Sequence, residues 1–104
     1  MLVIDQSRND SVAEIRVGET VRIQLSENPT TGFRWHLQAD GAPALRLMQD
    51  TFEASGSAPG SGGSRCWIFA ADHPGSIELR MELRRSWQPQ PVRSFGITVD
   101  VKAG

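Results

Sequence analysis

The side chains best suited to covalent chemistry in this 104-residue chain are one cysteine, Cys66, and two histidines, His36 and His73. A thiol nucleophile needs a base within hydrogen-bond reach. Cys66 lies on an alternating stretch, facing away from Trp67, and neither histidine is spaced to sit beside it. A packed or surface thiol is the reading that follows. One cysteine and two scattered histidines also make no recognisable metal site, so no metal and no cofactor are expected. Glu78 and Glu82 alternate with Arg80 and Arg84, which reads as cross-strand charge pairing on a solvated face and not as acid–base machinery. The hydroxyls of Thr30 and Thr31 have no adjacent base, acid or metal ligand. No constellation for catalysis emerges, and the chain reads as a binding protein, not an enzyme.

The stretch that best fits recognition is Asn28-Pro29-Thr30-Thr31-Gly32-Phe33-Arg34-Trp35. Pro29 fixes its own φ and pushes Asn28 towards an extended conformation. Gly32 permits a backbone angle that a side chain would forbid. From Phe33 the pattern becomes strict alternation, with Phe33, Trp35 and Leu37 on one face and Arg34 and His36 on the other. A stiff polar loop is thus joined to a strand with a buried aromatic side.

Composition narrows the partners. Apolar residues make up 38% and charged residues 22%, a globular balance in one domain's length of chain, taken as residues 1–104. Eleven basic and twelve acidic side chains give a net charge of −1, and the arginines are interspersed with acids, which argues against nucleic acid. No apolar run approaches the ~20 residues that span a bilayer, so no membrane partner is expected. A single cysteine permits no internal disulfide and leaves the redox compartment open. The opening MLVIDQS has no basic n-region and no secretory h-region. Cytoplasm, or periplasm or exterior by way of a separate leader, both remain open.

Period-2 alternation runs through nearly the whole chain. It predicts strands at Leu2–Asp5, Ser11–Val17, Glu19–Leu25, Phe33–Gln38, Ala44–Phe52, Arg65–Ala71, Ser76–Arg84 and Arg93–Val101. Leu47-Met48 breaks the alternation of the fifth and marks a bulge. Seven or eight short strands, with turn signals every ~8–12 residues, predict an all-β, immunoglobulin-like antiparallel β-sandwich. A closed barrel is the competing architecture. If direction reverses at each connection, the loops leaving odd-numbered strands share one end. Those are Asn28–Gly32, the Gly/Ser-rich Ala54–Ser64, and Arg85–Pro91 with Trp87 outside any alternating pattern. The premise is that no strand pairs in parallel.

Asn28-Pro29-Thr30-Thr31-Gly32-Phe33 with Trp35, then Gly60-Ser61-Gly62-Gly63, then Arg85-Ser86-Trp87 resemble the three loop motifs of the chagasin family of cysteine-peptidase inhibitors, NPTTGY/F-x-W, GxGG and RPW. The first motif is long and specific; the others gain weight from order and spacing. Ser86 departs from the family's proline, which implies a less stiff third loop. The resemblance implies a reversible inhibitor, working as a monomer, of papain-like cysteine peptidases of the cathepsin L type. In that picture the Thr30-Thr31 loop enters the cleft over the catalytic cysteine, while the Gly60–Gly63 and Arg85–Trp87 loops grip its two sides. The alternative is a non-inhibitory immunoglobulin-like module for adhesion or carbohydrate recognition that uses the same loops.

Overall fold

The computed structural model describes residues 1–56 and 62–104. Among them are eight strands: β1 (Leu2–Ile4), β2 (Ser11–Arg16), β3 (Thr20–Glu27), β4 (Phe33–Ala39), β5 (Leu45–Ala54), β6 (Gly63–Ala71), β7 (Gly75–Arg85) and β8 (Arg93–Lys102). They form two four-stranded sheets, ordered β1-β3-β6-β5 and β2-β8-β7-β4. The all-β sandwich expected from alternation is the architecture found. The helical content among the described residues is two single 3₁₀ turns, Gln6–Arg8 and Pro29–Thr31.

Alternation chose the core residues because successive side chains of a strand point to opposite faces. Val21, Ile23 and Leu25 of β3 are fully buried, as are Trp67 and Phe69 of β6 and Leu79 and Met81 of β7. Phe95, Ile97, Val99 and Val101 complete the layer from β8. The bulge expected at Leu47-Met48 is present, as a register shift between Leu47 and Gln49 against β6.

Two pairings depart from the antiparallel expectation. β1 runs parallel to β3, with Leu2 opposite Val21, and β2 runs parallel to β8, with Ser11 opposite Ile97. The expectation that no strand pairs in parallel, on which the shared end of the three loops depended, is therefore corrected. The shared end survives because both exceptions join strands of the same parity, first with third and second with eighth. Two strands that run the same way and lie side by side must pair in parallel. Within each sheet the odd-numbered strands run one way and the even-numbered strands the other, so the loops after β3, β5 and β7 stay at one pole.

Candidate functional site

The first loop is a 3₁₀ turn held by its own side chains. Asn28 caps it in an extended conformation (φ −122°, ψ 101°), its carboxamide oxygen accepting from the Thr30 N–H at 3.1 Å and from the Thr30 hydroxyl at 2.7 Å. The Thr31 hydroxyl donates to the Asn28 carbonyl at 2.8 Å and accepts from the Phe33 N–H at 3.3 Å. Gly32 closes the turn at φ 81°, a left-handed angle that favours glycine, and its N–H donates to the Pro29 carbonyl. Both threonine hydroxyls are engaged within the loop, while Thr30 and Thr31 themselves are exposed. They offer a shaped surface.

Behind the turn is a residue that the sequence reading passed over. Glu27 is only 4% exposed. One carboxylate oxygen accepts from the Trp35 N–H at 2.7 Å, and the other from the Arg65 guanidinium at 3.0 Å. The Trp35 indole N–H donates to the Ser26 carbonyl at 2.8 Å. Glu27 thus fastens the end of β3 to β4 and β6 where the loop departs. Burial pulls the Arg65 pKa down, but its hydrogen bond to Glu27 and the charges of Glu27 and Asp50 raise it above its ordinary value overall. Glu27 continues the inward phase of Val21, Ile23 and Leu25, and that parity was the available signal. Glu27→Leu is expected to lower stability by about 2 kcal/mol in chemical denaturation, since it leaves the Trp35 N–H without its acceptor and removes a partner of Arg65.

The three motifs converge at this pole. A Cβ placed on Gly32 would stand 3.5 Å from the Trp87 ring, so the third loop lies against the first. A Cβ on Gly62 would stand 3.4 Å from the Glu27 carbonyl oxygen and 3.6 Å from Asn28 Cβ, which puts the end of the second loop against its other side. Gly60 and Ser61 lie outside the described residues. Trp87 is 71% exposed. Arg85 is more deeply placed than its loop motif implied. It is the last residue of β7, opposite Phe33 in the register, and its guanidinium lies 4.5 Å from the Phe33 ring centroid and 5.9 Å from that of Trp87. The resulting Phe33–Arg85–Trp87 stack braces the first loop against the third. Ser86 is exposed at the turn that follows, where the Gln88 N–H donates to the Arg85 carbonyl at 3.0 Å.

Gly63 differs from its neighbour. It is the first residue of β6, paired with Glu27 on one side and Ala54 on the other. A Cβ there would collide with the Glu53 carbonyl oxygen and come within 2.8 Å of the Phe52 ring. Close packing of the chain's own sheet is sufficient reason for glycine here. Gly63→Ala is expected to cost about 1–3 kcal/mol, read as a lowered unfolding midpoint, with the β5–β6 pairing disturbed at its loop end.

The remaining candidates for chemistry stay apart. Cys66 is buried, with its sulfur 3.2 Å from the Arg22 guanidinium, which also holds Glu53 at 2.9 Å. Burial pushes the Cys66 thiol up, opposed by the Arg22 charge, so it is a packed thiol and not an activated one. Among the described residues no three His, Cys, Asp or Glu side chains gather as a metal site would require. The expected cross-strand charge pairing on β7 is corrected in part. Arg80 pairs with Glu78 on its own strand at 3.0 Å, and Arg84 faces Arg34 across to β4.

The family model described as chagasin family peptidase inhibitor I42 matches residues 14–99. The chain belongs to the chagasin family. It is therefore placed among peptidase inhibitors and not among enzymes. Chagasin of Trypanosoma cruzi is 28% identical over 105 residues, covering 96% of each chain. The fold is shared with EhICP2, a cysteine protease inhibitor of Entamoeba histolytica, at a TM-score of 0.85 and 21% identity over 97% of this chain and 94% of that one. It is shared also with PbICP-C, solved in complex with falcipain-2, at a TM-score of 0.68 and 13% identity over the full length of both. The match to the family model begins within β2 and ends within β8, so it spans all three loops.

Proposed function

We propose that this protein inhibits papain-like cysteine peptidases reversibly, seating the three loops of one pole across the active-site cleft. The contact set is Asn28–Phe33 at the centre, Gly60–Gly63 on one side and Arg85–Trp87 on the other. The observation that carries this reading is the self-bonded Asn28–Gly32 turn at the tip of a chagasin-family domain, with Trp87 and Gly62 against its flanks. A loop already fixed in one shape loses little entropy on docking, so more of the contact energy survives as affinity. Trp87 is the residue type most often found at interface hot spots, and it is presented to solvent next to that turn. Glycines at the second loop let backbone approach backbone, which favours strand-like pairing with a cleft wall. The alternative of an adhesion or carbohydrate-binding module has no observation in its favour.

Titration of papain with the purified protein, at fixed substrate, tests the reading. Stoichiometric, dilution-reversible loss of activity is expected, and an unaffected enzyme at micromolar protein would overturn it.

A further inference from the structure

Basic side chains over most of this surface are matched with acids. Among the described residues Arg22 pairs with Glu53, Arg46 with Asp72, Arg65 with Glu27 and Asp50, Arg80 with Glu78, and Lys102 with Glu14. Arg8 binds the Ser11 hydroxyl and the Val12 carbonyl instead. Among the described residues the other arginines, which form no ion pair, gather near the loop pole. Arg34 and Arg84 lie on the outer face of the β4–β7 pair, and Arg85 and Arg93 stand close by at the strand ends. Arg16, at the end of β2, is the exception at the other pole.

The register makes the first two unusual. Arg34 stands directly opposite Arg84 on adjacent antiparallel strands, where side chains are nearest neighbours. Like charges in that position repel and destabilise a sheet. The nearest acid in the register is Glu82, which stands opposite His36, and among the described residues no ion pair joins it to either arginine. Each arginine is also covalently next to a member of the stack that braces the loops, Arg34 after Phe33 and Arg84 before Arg85. A locally unfavourable arrangement, continuous with the binding loops, calls for an acidic partner from outside the chain.

We infer that the Arg34–Arg84 pair is an electrostatic docking surface for carboxylates on the target peptidase, beside the cleft on the side held by the Arg85–Trp87 loop. The inference rests on the inhibitory reading above and adds a selectivity to it: peptidases with an acidic rim are captured faster than those with a basic one. The net charge of −1 gives the whole molecule no attraction for an acidic enzyme, so the effect must come from this patch. Charges at the edge of an interface act mainly on association and on its salt dependence.

The test compares the wild type with Arg34→Gln/Arg84→Gln and Arg34→Lys/Arg84→Lys. Association and dissociation rates are measured against one acidic and one basic papain-like peptidase over a series of salt concentrations. For the acidic enzyme, the glutamine pair is expected to associate about 10-fold more slowly at low salt and to lose most of the salt dependence, with dissociation little changed. The lysine pair should retain both, and the glutamine pair should melt no lower than the wild type because a repulsion has been removed. Equal association rates and salt slopes for the wild type and the glutamine pair would overturn the inference while leaving the inhibitor reading intact. So would a lysine pair as slow as the glutamine pair. A wild type that inhibits neither enzyme would overturn the inhibitor reading itself, and the docking surface with it.

Discussion

Thr31→Arg is expected to weaken inhibition of papain about 100-fold or more, the scale of loss at the centre of a protein interface, while the domain stays folded. The Thr31 side chain is exposed at the tip of the turn, so a long charged group there meets no obstacle within the chain. It would meet the cleft wall of the peptidase instead. The substitution also removes the hydroxyl that bonds the Asn28 carbonyl and the Phe33 N–H. Losing those exposed bonds costs about 1 kcal/mol, a fall of a few degrees in Tm. Thr31→Ser separates the two effects, since it keeps the hydroxyl and adds no bulk, and it should inhibit nearly as well as the wild type. Inhibition constants and melting curves for both variants decide the matter. A fully active arginine variant would place the contact elsewhere.

Trp35→Ala is expected to do the opposite, lowering stability by about 3–5 kcal/mol. Trp35 lies four residues further along the chain, in β4, but belongs to the core, with its indole N–H on the Ser26 carbonyl and its backbone N–H on Glu27. Truncation leaves a cavity between the sheets and strips the Ser26 carbonyl of its donor. Domains of this size are stable by only about 5–15 kcal/mol, so denaturant titration should show a large shift or no folded baseline at all. Trp35 and Glu27 share one network, and the Glu27→Leu/Trp35→Ala double variant should lose less than the sum of the two. If Trp35→Ala and Thr31→Arg behaved alike, the division between a supporting strand and a presented turn would be wrong.

The part of the fold legible in the sequence is whatever a local period encodes. Val21, Ile23 and Leu25 announce a buried face because every second residue of a strand points the same way, and the interruption at Leu47-Met48 announces a bulge for the same reason. The turn at Asn28–Gly32 was legible through Pro29 and Gly32, each of which restricts or frees one backbone angle. Partners distant along the chain were not legible. Glu27 meets Arg65 across 38 residues, and although the parity of β3 turns Glu27 inward, nothing local names the partner that makes its burial tolerable. Arg84 meets Arg34 and not an acid, because pairing depends on a register that a single strand does not contain. Gly63 belongs to the glycine-rich motif, yet the neighbours that require it are Glu53 and Phe52 on the adjacent strand.

The parallel pairing of β1 with β3 and of β2 with β8 has a consequence for how the molecule can be held. Leu2 lies beside Val21 near the start of β3, and Lys102 lies beside Arg16 at the end of β2. Both positions are at the pole opposite Thr31 and Trp87, on a body whose longest dimension is 44 Å. A tether, a fused partner or a solid support joined at Met1 or Gly104 would leave the loops pointing away from it. Displayed from either end, the domain works like a tool gripped by its handle.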